Sequence, residues 1–206
     1  MSCPAEAAPA RRATCARCAR PLSHCLCDRI PRLENRTPVL ILQDSRESRH
    51  PLNTARLAAL GLARATLLAG TDFDPALWAT PGAMLLFPGP DARVLAPDGP
   101  VPAPSLLVVP DGTWRQARGL LARHPTLAAL PRLTLPDGLP ARYRVRRAPD
   151  TGALSTVEAI AHALAALEAP RRFDALLAPF EALVQGQISA MGPAIYARDH
   201  LGPRQD

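Results

Sequence analysis

Four of the five cysteines, Cys15, Cys18, Cys25 and Cys27, fall in the run Thr-Cys-Ala-Arg-Cys-Ala-Arg-Pro-Leu-Ser-His-Cys-Leu-Cys, with Cys3 outside it. In a reducing compartment such a cluster reads as metal ligands rather than disulfides. Four thiolates suit tetrahedral zinc, and the first pair has the spacing of a zinc knuckle. The second pair, Cys-x-Cys, is tighter than usual, which leaves His24 as an alternative ligand. A redox Cys-x-x-Cys is the competing reading, but that motif opens a helix after a strand, and here Pro21 follows almost at once. A closed set of four thiolates leaves no coordination position for a substrate, so the expected zinc is structural. Arg17 and Arg20 lie inside the knuckle, and Arg11, Arg12, Arg29, Arg32 and Arg36 flank it against Glu6, Asp28 and Glu34. This makes a basic knob suited to a phosphate backbone.

A second chemical cluster is Val109-Pro110-Asp111-Gly112-Thr113-Trp114-Arg115-Gln116. It places a carboxylate at the carboxyl end of an apolar run, with Thr113-Trp114 opening the helix that follows. The local alternative is that Asp111 or Thr113 caps a helix and Trp114 is core. Leu154-Ser155-Thr156-Val157-Glu158 reads as a capping box before an apolar run, and a helix N-terminus also suits a carboxylate or phosphate. Between these lies Arg142-Tyr143-Arg144-Val145-Arg146-Arg147. At a strand's period of two it puts Arg142, Arg144 and Arg146 on one face, for nucleic acid, a ligand carboxylate or solvent.

The elements that must position these groups alternate between strand and helix. Apolar runs at 38–43, 65–68, 83–87 and 105–109 read as buried strands, with further strands at 132–135 and 141–145. Helices are expected at 52–60, 114–123, 155–168 and over most of 173–191. This order predicts an α/β fold, a mainly parallel sheet flanked by helices. Ligands then belong beyond the strands' carboxyl ends, at the loops after Gln43, Phe87 and Val109. There is no Gly-x-Gly-x-x-Gly after a strand, no phosphate-binding Gly-x-x-x-x-Gly-Lys and no Gly-x-Ser-x-Gly elbow.

Composition narrows the class. The 206 residues carry a net charge of +6, and all 24 basic residues are arginine. Arginine forks onto phosphate and stacks on bases, although a GC-rich genome also yields chains rich in Arg, Ala and Pro. No apolar run reaches the ~18 residues of a membrane span, and the Met1-Ser2-Cys3-Pro4 start has no secretory pattern. A cytoplasmic protein without a membrane partner is expected. Two Trp, two Tyr and four Phe are too few for a base-stacking platform, so any nucleic-acid affinity would rest on phosphate contacts.

Five motifs occur in order: Cys-x-x-Cys with Cys-x-Cys; Gln43 followed by Ser45-Arg46-Glu47-x-x-His50-Pro51-Leu52-Asn53-Thr54; Phe87-Pro88-Gly89; Asp111-Gly112-Thr113-Trp114; and Leu154-Ser155-Thr156-x-Glu158-Ala159. Together, from Cys15 to about Ala161, they resemble the DTW-domain family of tRNA-uridine aminocarboxypropyltransferases. One departure is Asp44, where a His often follows the Gln in the family. The resemblance implies a SPOUT-like, trefoil-knotted catalytic domain over residues 37–206, with a zinc-binding basic segment over 1–36. It also implies a monomer with tRNA as partner and S-adenosylmethionine (SAM) as co-substrate. The reaction is transfer of the 3-amino-3-carboxypropyl group to uridine N3, in a variable-loop uridine, with release of methylthioadenosine. Asp111 is then the base, or the group that orients the uracil N3–H. Leu85, Phe87, Pro88, Thr113, Trp114, Leu154, Ser155 and Thr156 enclose SAM, and Arg17, Arg20, Arg115, Arg142, Arg144 and Arg146 hold RNA. Two rivals remain: a SPOUT-type RNA methyltransferase, and a non-catalytic zinc-stabilised RNA-binding protein.

Overall fold

A computed structural model of the chain describes residues 13–48, 50, 52–96, 101–141 and 154–192. The two apolar runs richest in aliphatic residues become the middle of the sheet. They are β1 (Val39–Asp44) and β5 (Leu106–Asp111), paired in parallel with Gln43 opposite Asp111. Both alternate between two cores. Val39, Ile41, Leu107 and Val109 face one cluster, and Leu40, Leu42 and Val108 face the other. Burial on both faces removes any polar-out positions, which is why these strands read as continuous hydrophobic runs.

The remaining strands are β2 (Ala65–Gly70), β3 (Ala83–Leu86), β4 (Arg93–Val94) and β6 (Arg132–Thr134). The sheet order is β2-β1-β5-β3-β6-β4, and every pair is parallel. Helices α1 (Thr54–Gly61), α4 (Thr156–Leu167) and α5 (Ala178–Met191) cover one face. Helix α2 (Trp114–Arg123), the short α3 (Pro125–Ala128) and Trp78 cover the other. The chain leaves β1 toward β2 and leaves β5 toward β6, in opposite directions across the sheet. The β1–β5 boundary is therefore the topological switch point, where a crevice for ligand opens.

Helix α4 forms because Val157, Ile160, Ala161 and Leu164 recur at helical spacing and bury one stripe. Its far end also ties the fold. The Glu168 carboxylate, 3% exposed, accepts the N–H groups of Arg36 and Thr37 at 2.8 Å each, just before β1. Asn35 completes that corner, bonding the carbonyls of Thr37 and Arg64 and accepting the Arg64 N–H.

The α/β expectation holds, with local differences. β1 runs one residue further, to include Asp44, because that residue still pairs with Gly70 of β2. The helical region after Phe173 is split into a 3-10 turn (Asp174–Leu177) and α5. β4 and the 3-10 turn Pro75–Trp78 were not anticipated. The expected strand at 141–145 and the residues Arg142, Arg144 and Arg146 lie outside the described residues, apart from Ala141.

Leu107 is fully buried at the centre of the sheet. Leu107→Ala should cost about 2–5 kcal/mol, read as a lower urea midpoint at unchanged slope. Val94→Ala, at an exposed edge position, should stay within ~0.5 kcal/mol.

Candidate active site and metal centre

At the switch point, Asp111 ends β5, and its two carboxylate oxygens are held from different elements. Oδ2 accepts the side-chain N–H of Gln43, at the end of β1, at 2.8 Å. Oδ1 accepts the hydroxyl of Thr156, the first residue of α4. Gln43 is completely buried and also exchanges two hydrogen bonds with Asn53, at 3.0 and 3.2 Å. Asn53 is the N-cap of α1, accepting the Arg56 N–H at 3.0 Å, and its amide also reaches the carbonyls of Glu47 and Ser48. Hydrogen bonds donated to a carboxylate favour its charged form.

The turn after Asp111 is built by Gly112, whose φ of +148° is unfavourable for a side chain. A Cβ there would also lie 3.1 Å from Gln116. Thr113 then caps α2 through a capping box with Gln116, so the capping reading of Thr113 is correct. The alternative that Trp114 is core does not hold. It stays 46% exposed and meets the Phe87 ring edge-on, with centroids 5.5 Å apart. The Arg132 guanidinium lies 5.9 Å over the same Phe87 ring and donates to the Pro88 carbonyl. Leu85 is wholly buried in the core. Leu154 is half-buried.

At α4 the Ser155 hydroxyl and N–H both go to the Glu158 carboxylate, at 2.6 and 2.8 Å. Neither the Ser155 nor the Thr156 hydroxyl is therefore idle, and what this helix start offers a ligand is backbone N–H groups. Asp44 is buried and held by the Arg46 fork at 2.9 Å, which keeps its carboxyl below the usual carboxylate range. That is what the residue after Gln43 does in this chain: it fixes the first loop.

The structure brings Asp111, Thr113, Trp114, Phe87, Pro88 and Thr156 to one end of the sheet. The sequence motifs included Gln43 and Asn53 but gave neither a site role. The available signal was Gln43 itself, an uncharged polar side chain at the end of an apolar strand.

The second centre is the cysteine cluster. The four sulfurs lie within 4.8 Å of one another, with Cys15–Cys27 at 3.5 Å and Cys18–Cys25 at 3.8 Å. Zinc–sulfur bonds of about 2.3 Å in a tetrahedron require sulfur–sulfur edges of ~3.8 Å, so the donor set fits such an ion. His24 is exposed and bonds Ser23 instead, so the four cysteines form the set. Backbone N–H groups of Cys18 and Arg17 pull the Cys15 thiol down to about 6, whereas desolvation pushes Cys27 up to about 12. Cys18 is buried and shares the core under α1, α4 and α5 with Leu26 and Ile30. Arg17 and Arg20 brace the knuckle by donating to the carbonyls of Cys27 and His24. A groove of about 660 Å³ runs between this loop and α5, lined by Arg20, His24, Arg29, Glu181, Gln185 and Gln187 among others. Arg115 is exposed at the start of α2.

Comparison with known proteins gives a consistent result. The DTW domain family model matches residues 12–188. A Macaca fascicularis protein named tRNA-uridine aminocarboxypropyltransferase 2 is 32% identical, the match covering 93% of this chain and 69% of that protein. A Drosophila melanogaster protein of the same name is 31% identical over 87% of this chain and 77% of its own length. An Arabidopsis thaliana protein named tRNA-uridine aminocarboxypropyltransferase A is 27% identical over 77% of this chain and 74% of its own length. No solved structure matches.

Zinc titration should show a single ion per chain, bound with release of thiol protons and more weakly as the pH falls, because protons compete for the thiolates. Stripping the metal with a chelator, or Cys25→Ser, should lower the thermal midpoint, since the cluster packs on the main core.

Proposed function

Because the chain belongs to the DTW-domain family, we propose that it transfers the 3-amino-3-carboxypropyl group of SAM to N3 of a uridine in tRNA. The observation that carries this reading is the Asp111 carboxylate, fixed at the sheet's switch point beside the exposed Trp114 and Phe87 pair. SAM supplies a sulfonium whose γ-carbon is open to attack. In the transfer the uridine N3–Cγ bond forms, the Cγ–S bond breaks, and its electron pair leaves on the sulfur of methylthioadenosine. The N3 proton goes to Asp111, or Asp111 orients the N3–H while the proton passes to solvent water. Such general-base help typically contributes ~10²–10⁴-fold.

The remaining residues take roles their surroundings permit. Trp114 and Phe87 form an apolar wall for an aromatic ring, with Pro88, the Leu85 backbone and Leu154 around the adenine. Thr113 and the N-terminal turn of α4 from Thr156 onward suit the amino acid end, with Ser155 shaping that turn through its bonds to Glu158. A zinc ion held by Cys15, Cys18, Cys25 and Cys27 would be structural, fixing the loop that carries Arg17 and Arg20; these two, with Arg115, Arg142, Arg144 and Arg146, grip the tRNA backbone. We further propose a variable-loop uridine as target, a monomer as the working form, a SPOUT-like threaded catalytic domain over 37–206 behind a zinc segment over 1–36, and a cytoplasmic location. Among the described residues no helix is long and apolar enough to cross a membrane.

Incubation with unmodified tRNA and SAM, followed by mass spectrometry of nucleosides and small products, tests the reading. Acp-uridine with methylthioadenosine is expected. A methylated base with adenosylhomocysteine would move the enzyme to the methyltransferase class, and absence of any product would favour a binding protein. Asp111→Asn should lower kcat by ~10²–10⁴-fold with tRNA binding intact. Affinity for tRNA should fall steeply between low and physiological salt, measured by filter binding.

A further inference from the structure

The Gln43–Asn53 pair reaches Asp111 by a chain of hydrogen bonds whose direction is fixed at its start. The Arg56 N–H of α1 can only donate, so the Asn53 oxygen that caps it must be the acceptor. The Asn53 amide nitrogen is thereby turned toward the Gln43 carbonyl oxygen and the carbonyls of Glu47 and Ser48. With its oxygen so engaged, Gln43 has only its amide nitrogen to present to Asp111. Flipping either amide would set oxygen against oxygen. The orientation at β5 is thus dictated by the N-cap of a helix leaving β1.

We propose that Gln43 is a positioning residue for the reaction. Held by Asn53, it donates to Asp111 Oδ2, keeps that carboxylate ionised before substrate arrives, and leaves its orientation a single choice. This rests on the aminocarboxypropyl-transfer reading for its meaning but not for its test. Other charged groups on the surrounding elements have their own settings. Asp44 on β1 is held by Arg46, and Glu158 on α4 by Ser155. Glu47 and Arg56, around the N-cap of α1, are half-buried, and Arg115 on α2 is exposed to solvent. Gln43 itself is wholly shielded from water, so no solvent molecule substitutes for its amide without repacking.

The test is a carboxyl-carbon NMR titration of Asp111 in the full chain labelled at aspartate, its signal assigned by its loss in Asp111→Asn. Gln43→Met keeps the volume and removes the donor, and the Asp111 titration should move up by about one to two pH units. Gln43→Glu faces one carboxylate with another and should move it further. Asn53→Ser retains a good N-cap while releasing the Gln43 amide, and should give a smaller shift in the same direction; it stands in if the Gln43 variants do not fold. The acidic limb of kcat/KM for transfer should follow the same order, with KM for SAM little changed. An unmoved titration alongside a lowered thermal midpoint would make Gln43 a packing residue only and overturn the proposal. Wild-type protein that forms no acp-uridine yet shows the titration shift would instead sink the functional reading.

Discussion

The Asp111 carboxylate is where three elements distant in sequence are tied together. One oxygen takes the Gln43 amide from β1 and the other the Thr156 hydroxyl from α4, so the carboxylate is a clasp, and under the proposed function it is the reactive group as well. Its place follows from the parallel pairing of β1 with β5, which sets Gln43 and Asp111 in register at the carboxyl ends of adjacent strands. Because the connections leave those strands in opposite directions, nothing in the sheet covers the gap between them. The carboxylate is therefore both well held and reachable.

Helix α4 extends this tie across the molecule. Its start contributes Thr156 to Asp111, while the residue just past its end, Glu168, captures the backbone of Arg36 and Thr37 ahead of β1. The linker so captured leads back to the cysteine knuckle, where Cys18, Leu26 and Ile30 enter the same core as Val157, Ile160 and Leu164. A single hydrophobic layer thus connects the carboxylate, the helix and the metal-binding loop. Loss of the metal should be felt as loss of packing under α4, not merely as fraying of a remote appendage.

Much of this was legible in the sequence because the signals were local. Apolar runs at 38–43 and 105–109 announce strands buried on both faces, and the helix expected from Trp114 begins where α2 does. Four cysteines in a short segment point to a metal site, and the structure gathers their sulfurs into one. What escaped was set by contacts between distant parts of the chain. The site role of Gln43 exists only once β1 lies beside β5, and the sheet order cannot be read from strand propensity. The Ser155–Glu158 capping box was legible, and the structure adds that the Ser155 hydroxyl itself is spent on Glu158. Whether Trp114 was core or lined a site stayed open in the sequence, and tertiary packing leaves it against Phe87 at the surface. Two-residue β4 has no pattern to detect, and it is a strand only because β6 lies beside it.

The most direct trial of the central claim is to supply SAM carrying a carbon label in its methyl group and deuterium in its aminocarboxypropyl chain, then ask which label enters tRNA. The account predicts deuterium in the nucleoside and the carbon label in the released thioadenosine. Carbon label in the tRNA, with deuterium left behind in the small product, would contradict it.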